Sequence, residues 1–289
     1  MLGYFADVAL PPAHHLIPHL HVLHRQITSE FDFGRDEYSN AYYELDLLPY
    51  CLDAASSALE ALFSDIHALV SYNLSSDHPK GQMIPQSKYA KRLSYHVDHF
   101  LDVARRAQNT WTRYLRLALR LQRHGEQLPK SLHTVIKGLG TRDYGLPEEI
   151  RRRLINYWED HGKRLKDYRD LAQHMPITVT SEAQVIVAAD ETPSIWLTLP
   201  NNPEEESPAR LSFEPPVHAF SYVREQHYQL VAFSYLLCDK LIEESTDRTK
   251  PSFAIVPRQW LGSSIQAEAI PAEGTLEEIT QRLKALGTT

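Results

Sequence analysis

Between residues 52 and 70 the apolar side chains recur at intervals of three and four: Leu52, Ala55, Leu59, Leu62, Phe63, Ile66 and Val70. Residues at that spacing share one face of an α-helix, so this stretch is committed to a long amphipathic helix with one side in a core. The pattern returns. Leu93, Val97, Phe100, Leu101, Ala104, Trp111, Tyr114, Leu115, Leu117 and Leu121 mark a second helix over 88–124. Pro147, followed by Glu148 and Glu149, opens a third that runs to about His174, because proline suits a first turn and acids suit the positive end of a helix. Phe220, Val223, His227, Leu230, Val231, Ser234, Leu237 and Leu241 mark a fourth over 217–242. Helices with one apolar face each bury it by packing on one another.

The period changes in one region. Residues 184–188, 194–199 and 210–213 are short, β-branched or alternating, with Pro and Asn between them, and read as two or three antiparallel strands. The expected fold is therefore mainly α: an antiparallel helical bundle with a small β insertion before the last long helix. The chain divides into an irregular N-terminal segment (1–35), a bundle domain (36–250) with the insertion at about 177–214, and a C-terminal extension (251–289). That extension holds a short extended stretch at 253–256 and a terminal helix over 275–286, with Thr275 and Glu278 as a capping box. Pro49 should kink the first helix or begin a new one, since proline has no N–H to donate. Residues 73–85 read as a loop, and 201–208, with three successive glutamates, as a mobile acidic loop.

At 289 residues, the chain can bury roughly three quarters of its unfolded surface without staples. Its two cysteines, Cys51 and Cys238, lie among apolar residues and are expected to be buried thiols. The formal net charge of -7 excludes a wholly basic nucleic-acid binder and confines any such site to a local patch. No apolar run is long enough to span a bilayer, and the N-terminus lacks the features of a signal peptide. These points predict a cytoplasmic protein with no membrane contact. No Gly-rich phosphate loop or dinucleotide fingerprint is present, and no cofactor is implied.

The densest chemistry lies in Lys166-Asp-Tyr-Arg-Asp-Leu-Ala-Gln-His-Met-Pro176. Asp170 and His174 are i,i+4 and share a helix face. Arg169 and His174 are ~140° apart around the helix, so they converge most easily between two copies of it. An arginine can hold a phosphate by paired hydrogen bonds, and a histidine can act as general acid or base. The same spacing also describes an ordinary surface ion pair beside an arginine neutralised on its own helix.

Tyr-Arg-Asp-Leu-Ala-Gln-His, late in a helical bundle, resembles the arginine-x4-6-histidine signature of the HEPN superfamily, in which a polar residue follows the arginine. The resemblance implies a bundle of four or five helices that commonly dimerises. It also implies either metal-independent endoribonuclease activity or RNA, nucleotide or partner binding. In that setting Arg169 would stabilise the phosphate, His174 would assist proton transfer as a 2'-hydroxyl attacks, and Asp170 would position them. The competing expectation is a non-catalytic helical scaffold that binds another protein through the insertion and acidic loop.

Arg113, Arg116, Arg120 and Arg123 recur at three and four on one helix face and could follow a phosphate backbone, with Arg113, Arg116 and Arg120 the phosphate-binding candidates. The stripe is equally that of a solvated face paired with acids. Arg92 and His99, flanking His96, repeat the arginine–histidine theme in mid-helix and form a reserve site. His14, His15, His19, His21 and His24 include an i,i+4 pair that could grip zinc or copper, but Pro18 interrupts them and no carboxylate falls among them, so no metal site is expected.

Overall fold

The structure is a computed structural model that describes residues 35–74, 83–85, 87–119, 128–174, 184–187 and 193–245. These residues form a mainly α-helical bundle with a small β insertion. Helix α1 (Arg35–Leu74) leads through strand β1 (Met83–Pro85) to α2 (Ser87–Ala118). A short α3 (Leu132–Gly138) and α4 (Glu148–Tyr157) follow. A π-helical turn (Trp158–Gly162) joins α4 to α5 (Lys163–His174). Strands β2 (Gln184–Val187), β3 (Pro193–Trp196), β4 (Thr198–Leu199) and β5 (Val217–His218) precede the long α6 (Ala219–Ser245).

Cross-helix contacts give the helix directions. Asp65 of α1 meets Arg92 and His96 of α2, and Cys51 of α1 meets Thr110 of α2, while Gln108 and Asp102 of α2 meet Gly162 and Arg169 respectively. Rising numbers on one helix thus meet falling numbers on the next, and both pairs are antiparallel. Trp111 bonds Ser234, and Phe100 lies against His227, so α2 and α6 run the same way. This is the up-down-up-down order of an antiparallel bundle.

The core is made of the stripes expected from the sequence. Leu52, Ala55, Leu59, Leu62, Ile66 and Val70 are buried, as are Leu93, Val97, Phe100, Leu101, Ala104, Trp111, Tyr114 and Leu115. The α6 face supplies Phe220, Val223, His227, Leu230, Val231, Ser234 and Leu237, all buried. Its polar members bond across helices: Trp111 Nε1 donates to Ser234 Oγ at 3.2 Å, and His227 Nε2 is 2.9 Å from Ser56 Oγ, while the buried His227 Nδ1 has no partner among the described residues. Cys51 is a buried free thiol, which burial pushes up in pKa. The side chain of Cys238 lies outside the described residues, as do the histidines at 14–24 and the extension beyond 245.

One local expectation narrows and two change. Pro49 lies inside α1 and does not begin a new helix; Leu48, Cys51 and Leu52, all buried beside it, hold both sides to the same core. Within the loop expected at 73–85, Met83–Pro85 pairs antiparallel with β2, which pairs antiparallel with β3, giving the order β1-β2-β3. Residues 210–213 are not a strand. A 3-10 turn occupies Pro208–Arg210, and the side chain of Asn202 takes the Arg210 carbonyl and the Ser212 N–H, the groups a ladder would have used. The strand here is β5, with Thr198 opposite His218 and Leu199 opposite Val217. Among the described residues no helix is long and apolar enough to cross a membrane.

Candidate functional site

Helix α5 buries Leu165, Tyr168 and Leu171 and turns a charged face outward. Its charges pair along the helix. Lys163 is 2.7 Å from Asp167, and Lys166 is 3.3 Å from Asp167 and 2.8 Å from Asp170. Burial acts to raise the Asp170 carboxyl, but Lys166 and Arg169 outweigh it and hold the group below the usual carboxylate range. Burial likewise acts to lower Lys166, and Asp170 and Asp167 reverse it.

Arg169 turns toward α2. Its Nε and Nη2 both lie 3.4 Å from Asp102 Oδ1. Its Nη1 donates to Asp170 Oδ1 at 3.3 Å and to Gln173 Oε1 at 2.5 Å. The guanidinium is therefore shared between two carboxylates and an amide, with 27% of the side chain exposed.

His174, on the exposed last turn, faces elsewhere. Together with Lys166, Asp167, Asp170 and Leu171 it lines a cavity of about 500 Å³, closed on the far side by Pro203, Glu204, Glu205 and Glu206. The structure brings Asp170 and His174 into one cavity, and Arg169 is not among its lining residues. Five carboxylates surround the space, against one ammonium already engaged by two of them.

The acidic segment, expected to be mobile, is fastened to α5. Tyr168 Oη donates to the Pro200 carbonyl at 2.6 Å, and Arg164 Nη2 reaches Asn201 Oδ1 at 3.2 Å. Across the base of the loop the Asn201 N–H donates to the Ser212 carbonyl at 2.6 Å. Ser207 N–H donates to Glu205 Oε1 at 3.0 Å.

The other candidates fall apart spatially. Arg113 and Arg116 are half-buried on α2, and the Arg113 charge reaches Cys51 on α1; Arg120 and Arg123 lie outside the described residues. Arg92 and His96 converge on Asp65, with His96 Nε2 2.9 Å from its Oδ2, while His99 is exposed. Among the described residues no group of three or more His, Cys, Asp or Glu is placed to hold a metal ion.

Sequence reading missed Asp102 and Gln108, which with Arg105 recur at three along α2 and face α4 and α5. It also missed the π-helical turn. One signal was available: Gly162, a residue that costs ~1 kcal/mol inside a helix and usually has a packing reason there. No family model, no curated protein and no solved structure matches this chain.

Proposed function

We propose that the protein is a HEPN-like helical bundle that acts on RNA at the end of α5, as a metal-independent endoribonuclease assembled from two copies. One observation carries the reading: Arg169, Asp170 and His174 occupy the last two turns of one partly exposed helix, with Arg169 held from outside by Asp102. In this reading Arg169 grips the scissile phosphate. His174 transfers protons as the 2'-hydroxyl oxygen attacks phosphorus and the 5'-oxygen leaves. Asp170, bonded to Arg169, sets the guanidinium angle. A homodimer supplies the convergence that one helix lacks, because Arg169 and His174 are ~140° apart on it. A cytoplasmic setting, where RNA is present, belongs to the same reading.

The cavity lining sets a condition on it. Like charges ~4 Å apart repel by about 4 kcal/mol near a protein surface, so a phosphate is kept out of the cavity and, to reach Arg169, has to displace the Asp102 or Asp170 carboxylate from the guanidinium. The test is RNA cleavage in the presence of chelator. General acid–base groups contribute roughly 10²–10⁴-fold, so His174→Ala and Arg169→Ala should each lose at least the lower figure. Equal cleavage by wild type and His174→Ala removes the motif from the chemistry.

The carboxylate lining favours a second reading, a non-catalytic helical scaffold whose acidic loop receives a protein partner. A wild-type chain that neither cleaves nor binds RNA, yet captures a stoichiometric partner that the glutamine variants of Glu204, Glu205 and Glu206 release, supports it. Capture unaffected by those variants removes the loop from the interaction.

A further inference from the structure

Helix α4 does not pass into α5 by ordinary turns. The Lys163 N–H donates to the Trp158 carbonyl, five residues back. Single π-helical turns of this kind amount to one extra residue in a helix and recur at functional sites.

This turn is gripped from two sides. A Cβ on Gly162 would come within 3.0 Å of both Trp158 Cε3 and Tyr157 Cε1, and within 3.3 Å of Gln108 Nε2. The two aromatic carbons belong to buried rings that have little room to yield. From α2, the buried amide of Gln108 donates to Tyr157 Oη at 3.1 Å and to the Gly162 carbonyl at 3.4 Å. Its Oε1 accepts from Arg105 Nη1 at 2.8 Å, and the Arg105 guanidinium lies 5.4 Å from the Trp158 ring centre. Arg105 is 7% exposed, and no carboxylate among the described residues lies within ion-pair distance of it.

The widened turn takes up one residue, so everything after it sits ~100° back from where an unbroken α-helix of the same sequence would place it. The edge of α2 that grips the turn, Asp102, Arg105 and Gln108, also receives Arg169 two turns further along α5. We propose that this π-helical turn is the positioning device of the candidate site. Gln108 and Gly162 keep the extra residue in place, and the rotation it imposes lays Arg169 on Asp102 while presenting Asp170 and His174 to the cavity. The inference rests on reading the end of α5 as the working site, and its test does not require cleavage.

The test uses full-length chains carrying Arg169→Lys, treated with a carbodiimide, which joins a carboxylate to a touching amine without a spacer. With the turn intact, mass spectrometry should find residue 102 linked to residue 169. Gln108→Leu withdraws the amide that holds the Gly162 carbonyl. With the turn closed to α at unchanged length, a rotation of ~100° carries the two groups apart, and that link should fall roughly tenfold. Deletion of Glu159 removes the extra residue together with the wide turn, keeps the phase of α5 and should keep the link. The Lys166–Asp170 link, which lies wholly within α5, should keep its yield and shows that the helix is still formed. Gly162→Ala, which crowds the turn against Trp158 and Tyr157, should act in the same direction as Gln108→Leu and decides the matter where Gln108→Leu does not fold. An undiminished 102–169 link in folded Gln108→Leu or Gly162→Ala, or its loss in a folded Glu159 deletion, overturns the proposal. A wild-type chain that cleaves no RNA removes the ribonuclease reading alone, and the cross-link still decides the positioning.

Discussion

Arg169 of α5 and Asp102 of α2 lie 67 residues apart in sequence and meet through a shared carboxylate oxygen, Asp102 Oδ1, 3.4 Å from both Nε and Nη2. The bonds are long, and 46% of the Asp102 side chain is exposed. Such a pair orients more than it stabilises.

Asp102→Asn should therefore lower stability by no more than about 1 kcal/mol, the range of partly exposed ion pairs. Urea denaturation checks this. A loss well beyond that range would make the contact structural and weaken its reading as an orienting one.

The bond from Tyr168 Oη to the Pro200 carbonyl, at 2.6 Å, is buried and fastens the acidic loop. Tyr168→Phe leaves that carbonyl without its partner and should cost about 1–3 kcal/mol. It should also speed cleavage of the native chain at Glu204–Glu206 by a glutamate-specific protease. An unchanged digestion rate would mean the loop is held without it.

His227 is fully buried, and burial alone lowers it to about 4 from 6.5. The unfolded chain binds a proton between those values that the folded chain refuses. Stability is thus intact above about pH 6.5 and falls as pH drops toward 4, by up to about 3 kcal/mol. Asp98 opposes it: burial raises its carboxyl to about 6 from 3.8, so its contribution is present at low pH and lost as pH rises through 6. His227→Phe should shrink the acid-side loss, as pH falls from 6 toward 4, to the part carried by His133, His161 and His218, which burial also lowers. Melting temperatures across that range check the sign, and a variant that keeps the wild-type profile would refute the assignment.

Trp111 fills the centre of the bundle, fully buried, with its ring against Phe233 and Tyr114. Trp111→Ala should cost about 3–5 kcal/mol through the cavity it leaves. Tyr95, 65% exposed on the same helix, should change stability by under about 0.5 kcal/mol when replaced by Ala. Thermal unfolding of the pair separates core from surface on α2.

What was legible beforehand follows from locality. An amphipathic stripe is a property of neighbouring residues and one repeat angle, so the apolar faces of α1, α2 and α6 could be read directly, down to His227 and Ser234 within the α6 stripe. The closeness of Arg169, Asp170 and His174 along one helix was legible for the same reason. The direction each side chain takes was not, because it depends on which helix lies opposite. Asp102 belongs to α2, Glu204–Glu206 to a loop after β4, and neither is near α5 in sequence.

The remaining features were decided by tertiary contacts alone. Met83–Pro85 has no strand pattern of its own and pairs because Gln184–Val187 comes alongside. Pro49 stays within α1 because buried residues hold both sides of it to one core. The extra residue at Trp158–Gly162 is kept by an amide from another helix. Periodicity along the chain determined that helices form and which faces they bury. The angular phase of α5, and with it where Arg169 and His174 point, was settled only when α2 and the acidic loop packed against it. A helix can rotate about its own axis with no change in its local hydrogen bonds, and only its neighbours can stop it.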